Sequence, residues 1–154
     1  MKWSNSGIVQ YIGAKEYIDT AVIPLVPFGL DQEDNLQKSA LQHETMQFFS
    51  NELEKELTGR LIMAPFYTYL MKKDLKLEAE RLEAWMKELE SSGFKHVFLL
   101  TFDPAWRKQN KSLTEELIWI PCADGSNMPA AEFHQTIRSQ ARDVMDLMMT
   151  SWEE

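Results

Sequence analysis

The side chains able to do chemistry gather in four polar stretches, each following an apolar run. Asp31 and Gln32 follow residues 20–28, and Tyr67, Tyr69, Lys72 and Lys73 follow residues 60–64. Asp103, Trp106, Arg107 and Lys108 follow residues 96–102, and Cys122 and Asp124 follow residues 117–120. If the four runs are strands of one open α/β sheet, these stretches lie beyond its carboxyl ends, where such sheets bind ligands. In that frame Asp31, Asp103 and Asp124 are the candidate acid/base groups. Asp103, Trp106 and Arg107 are expected to form a modest pocket for a small anion or a peptide carboxylate, with Tyr67 beside it. The plain alternative is a solvated loop.

Stronger chemical signals are missing. His43, His96 and His134 fall in three different elements without a His-x-x-x-His spacing, and Cys122 is the only cysteine. No metal set is expected from them. Gly29, Gly93 and Gly125 stand alone, so neither a dinucleotide fingerprint nor a Walker loop can be fitted. A Gly-x-Ser-x-Gly elbow is absent too. No cofactor is expected, and the balance favours a non-catalytic domain.

Composition narrows the partners. The net charge of −8, from 24 acidic and 16 basic residues, opposes binding to a phosphate backbone, which depends on accumulated Lys and Arg. Nucleic acid is therefore not an expected partner. No apolar run approaches the roughly 20 residues of a membrane helix. The amino-terminal stretch lacks the apolar core of a secretory signal, and one cysteine suits a reducing compartment. A cytoplasmic location is expected. At 154 residues with 44% hydrophobic side chains, the chain is expected to fold as one domain over residues 1–154.

The elements that would position these side chains can be read from spacing. Ile8, Tyr11, Ile12 and Lys15 predict a short helix over residues 4–18. Residues 20–28 read as a buried strand whose Pro24, lacking an N–H, implies an edge position or a bulge. Ser39-Ala40-Leu41-Gln42 matches a capping box and predicts a helix start. Met46, Phe49, Leu53 and Leu57 continue that helix to about Thr58, before Gly59. Residues 60–64 read as a strand stopped by Pro65.

Asp74 caps a helix with Leu75, Ala79, Leu82, Met86 and Leu89 inside and Gly93 at its close. Residues 96–102 form the clearest, central strand, and residues 117–120 a fourth. Pro129 opens a last helix with Phe133, Ile137, Ala141, Val144, Met148 and Trp152 on its inner stripe. The order α-β-α-β-α-β-β-α predicts an α/β, Rossmann-like fold: three layers, α/β/α, around a mostly parallel sheet of about four strands. The short link before the last strand leaves an antiparallel pairing open.

Met1-Lys2-Trp3, the block Tyr17-Ile18-Asp19-Thr20-Ala21-Val22-Ile23-Pro24-Leu25 and the stretch from Gly59-Arg60-Leu61 to Pro65-Phe66 together resemble the YpiF-like proteins of Bacillus and relatives. That resemblance covers the chain. It implies a bacterial cytosolic origin and, the family being uncharacterised, no activity. Ala64-Pro65 and Ser92-Gly93-Phe94 before His96-Val97-Phe98 faintly resemble the creatininase-type amidohydrolases. Where that family places a metal-ligating His, this chain has Thr101-Phe102-Asp103-Pro104, and Gly29-Leu30-Asp31-Gln32-Glu33 has none either. The likeness implies an α/β fold without the two-metal chemistry.

The expected role is thus an assembly or regulatory factor working by protein contact. Leu41 and Phe48, seven apart and opposite Met46, Phe49 and Leu53, are the candidate contacts for a partner or a second copy. An amino-terminal segment covering them is the competing reading. The alternative function is a small-molecule-binding enzyme or pseudoenzyme at the strand-end loops.

Overall fold

The computed structural model describes residues 1–71, 74–109, 113 and 116–153. Among the described residues, four helices, α1 (Asn5–Ala14), α2 (Glu33–Glu56), α3 (Leu75–Ser91) and α4 (Ala130–Glu153), pack on five strands. These are β1 (Thr20–Phe28), β2 (Leu61–Met63), β3 (Tyr67–Leu70), β4 (His96–Thr101) and β5 (Leu117–Trp119). The order across the sheet is β2-β1-β4-β5, with β3 on β1 as well. Every pairing is parallel, including β4 with β5, which closes the question of the last strand's direction.

Alternation along β1 divides its side chains between two cores. Val22 and Val26 face Met46, Phe49 and Leu53 of α2 and Ile137, Val144 and Met148 of α4. Ala21, Ile23 and Leu25 face the other way, onto Ala79, Leu82 and Met86 of α3 and onto Trp106. Each such large side chain contributes about 1.5–3 kcal/mol by leaving water. The three-layer α/β/α arrangement follows from a sheet that is apolar on both faces.

Pro24 does not mark an edge. β1 is interior, and Pro24 pairs with Leu100 of β4 on one side. On the other side it falls in the gap between β2, which ends with Met63 opposite Val22, and β3, which begins with Tyr67 opposite Leu25. The intervening chain holds one residue more than β1 does there, so the register slips. The missing N–H thus lies where the ladder is already broken, as at a bulge. β3 itself is not among the strands predicted from sequence. Tyr67-Thr68-Tyr69-Leu70 alternates buried and exposed, a half-covered strand in a stretch expected to be a loop.

The capping-box reading of Ser39 is also corrected. α2 starts six residues earlier, with Glu33 and Asp34 in its first turn complementing the helix dipole. Ser39 is buried mid-helix and its hydroxyl donates back to the Asn35 carbonyl, a bond a helix interior also offers. The other ends agree with the residue types. Asp74 accepts from the Lys76 N–H at 3.0 Å, and Gly59 and Gly93 take left-handed φ of 97° and 100° after their helices.

The first residues run beside β2. The Met63 N–H donates to the Met1 carbonyl at 2.8 Å, and the Met1 amino group lies 3.3 Å from Glu54. Ser4 then caps α1 through the Gly7 N–H. A Cβ on Gly7 would stand 2.0 Å from the Lys2 carbonyl oxygen, so this close turn requires glycine.

Candidate functional site

The strand-end residues are in place, but most are already engaged. Tyr69 points from β3 into the core under α3 and is 3% exposed. Its hydroxyl donates to Asp103 Oδ2 at 2.8 Å, and its ring meets Trp106 edge-on with centroids 5.2 Å apart. Burial, and next the Asp103 charge, push the Tyr69 phenol well above its ordinary range, against the opposing donors of Trp106 and Thr101. Asp103 Oδ1 accepts from the Ala105 N–H at 3.0 Å and starts the short 3-10 turn Pro104–Lys108. Both Asp103 oxygens therefore hold the fold.

Trp106 is fully buried. Its indole N–H comes near enough to Tyr69 to act on it but makes no hydrogen bond of good geometry. The guanidinium of Arg107 lies instead 4.3 Å over the ring of Trp119, whose Nε1 donates to the Phe102 carbonyl. Asp103 and Trp106 thus meet through Tyr69, inside, whereas Arg107 stacks on β5 at the surface. Lys72 and Lys73, expected nearby, lie outside the described residues.

Tyr67 is likewise buried rather than in a loop, its hydroxyl donating to Glu78 Oε2 at 2.8 Å and its ring packed edge-on to Trp85. Burial, then the bond to and charge of Glu78, raise its phenol far above its usual range. Asp124 accepts from the Ser126 N–H at 2.9 Å, the Ser126 hydroxyl at 2.5 Å and Asn127 Nδ2 at 2.8 Å. The Ser126 hydroxyl above all, then its N–H and Asn127, hold this carboxyl below its ordinary value. It caps a turn. Asp31 is exposed in the bend before α2. Burial pushes the Cys122 thiol up, against a Thr45 hydrogen bond, so it is not an activated thiolate.

His43, His96 and His134 each lie against a phenylalanine: Phe66, Phe98 and Phe48 respectively. Among the described residues no three His, Cys, Asp or Glu side chains gather as metal ligands, and no helix is long and apolar enough to cross a membrane.

α2 carries the surface features. Phe48, 46% exposed, sets its ring edge-on to Phe133 of α4, 5.6 Å between centroids. Phe133 in turn presses on Gly125, and Leu41 shares a cleft with Asp124 and Ser126. Both Leu41 and Phe48 therefore abut the α4 side of the molecule, half covered by the chain's own packing. At the start of α2, Phe28, Leu30 and Leu36 remain 45, 65 and 40% exposed around a cleft of about 370 Å³ with Ala40 and His43. A larger cleft of about 620 Å³ lies where β2 ends, between Lys2 and Trp3, Gln47, Phe48 and Phe66. Sequence reading missed both: the larger is walled by segments far apart in the chain, and the smaller by the end of β1 and the start of α2 folded together. The apolar Phe28-Gly29-Leu30 step before an acidic helix start was the available signal.

Residues 9–152 match the family described as "Protein of unknown function (DUF2487)". The chain is also 36% identical over 110 residues, 71% of each chain, to "Uncharacterized protein YpiF" of Bacillus subtilis (strain 168). No solved structure matches it.

Proposed function

We propose, for a chain that belongs to the DUF2487 family of proteins of unknown function, a cytosolic role exercised through protein contact rather than at a catalytic centre. The observation that carries this is an exchange of places. The acids and aromatics expected to work at the strand ends hold internal bonds, while large apolar side chains at the start of α2 face solvent. Leu30 and Leu36 flank a cleft of about 370 Å³, and such pockets with an apolar anchor site are where contact energy concentrates. Asp31, Glu33, Asp34 and Glu44 lie in or beside the same segment, so the rim of this surface is polar and negative.

The test is recovery of complexes from the native cell with the unaltered chain and with Leu30→Glu and Leu36→Glu. The expected result is one or more stoichiometric partners lost with either variant and retained with Leu147→Glu, a control on the exposed side of α4. Recovery of free monomer alone under gentle conditions would count against the reading, as would partners indifferent to both variants.

A further inference from the structure

We infer that the cleft beyond the end of β2 binds a small planar aromatic acid. The site is independent of the partner surface at Leu30 and Leu36. Its volume of about 620 Å³ falls in the range of roughly 300–1,000 Å³ that ligand pockets occupy. Three segments build it: residues 2–3, residues 47–54 of α2, and residues 63–66 at the end of β2. The close turn at Gly7 brings Lys2 and Trp3 over α2, and the break between β2 and β3 turns Pro65 and Phe66 outward on the opposite side. With Phe48 they give aromatic walls, against which a flat ring loses water and gains stacking.

The polar lining decides the sign of the ligand. Among the described residues Glu54 is the one carboxylate lining the cleft, and it is matched by the Met1 amino group at 3.3 Å and by the Thr58 hydroxyl. Lys2 is the cation left over: among the described residues its ammonium has no acidic partner. The Trp3 indole and the Gln47 and Asn51 amides on the same cleft also have no protein hydrogen bond among the described residues. An ammonium, an indole N–H and two amides beside aromatic walls are the groups that would hold an aryl carboxylate, ring against the aromatics and acid on Lys2. The chain's overall charge of −8 acts against the anion, but beyond about 8 Å salt largely screens it and Lys2 acts at contact distance.

The probes are 1-naphthoate and its neutral isostere 1-naphthamide, titrated into the full chain and followed by the indole N–H resonance of Trp3, assigned through Trp3→Phe. Saturable shifts at Trp3 are expected with both. Lys2→Gln should weaken naphthoate about three- to fivefold, the upper end of what an exposed ion pair contributes, and leave naphthamide within about twofold. Phe66→Ala should weaken both probes, and unchanged spectra elsewhere would show that each variant is folded. Non-saturable shifts, an equal response of the two probes to Lys2→Gln, or shifts that spare Trp3 would overturn the assignment. Leu36→Glu should bind naphthoate as the unaltered chain does, so failure of the partner surface and failure of this site are separately visible.

Discussion

Replacing Tyr69 by phenylalanine removes one oxygen and tests the structural reading of the strand-end acids in two ways at once. The hydroxyl donates at 2.8 Å to the half-buried Asp103, and its loss leaves a carboxylate oxygen without that partner. Hydrogen bonds to charged groups contribute about 1.5–3 kcal/mol, so Tyr69→Phe should lose that much stability at about pH 8. The second effect has the opposite sign. Burial and Asp103 raise the folded phenol above its unfolded value of about 10, so Tyr69 contributes stability that is whole below that pH and lost as pH rises beyond it. Between about pH 9 and about pH 11 the unfolded phenol ionises while the folded one does not, which costs the unaltered protein about 1.4 kcal/mol that the phenylalanine variant keeps. Urea unfolding of both proteins at these two pH values measures the gap directly. It should narrow by about 1.4 kcal/mol at the alkaline end. A gap that is small at about pH 8 and constant with pH would refute the account of a buried Tyr69 bonded to the half-buried Asp103.

Trp106→Ala should cost about 3–5 kcal/mol in denaturant unfolding, because a fully buried indole leaves a cavity between β3 and the 3-10 turn; a cost under about 1 kcal/mol would return Trp106 to the surface, as a ligand contact. Ser39→Ala should change stability by no more than about 0.5 kcal/mol, since it trades a back-bonded mid-helix serine for a better helix former. A helix-capping serine would cost about 1 kcal/mol, and unfolding midpoints separate the two.

Much of the fold was legible because the signals were local. The run of residues 20–28, the Asp74 cap and the glycines after α2 and α3 each act within a few positions, and the structure uses them as read. What escaped depended on distant chain. Pro24 is tolerated centrally only because β2 and β3 leave a gap opposite it, which no property of β1 reveals. Tyr67 and Tyr69 looked like loop residues until their hydroxyls found Glu78 and Asp103 across the core. The same limit applies to the site. Asp103 and Asp124 are followed by the short turns that carboxylates cap, and a polar residue beyond a strand can close a turn as readily as it can meet a ligand.

A photocrosslinking residue at position 36, in the native cell, reaches the main claim with least inference. The account predicts a discrete protein adduct there and at position 30, and none from position 135 on the solvent side of α4. An intact, correctly folded chain that forms no adduct at either α2 position would contradict a role exercised through that surface.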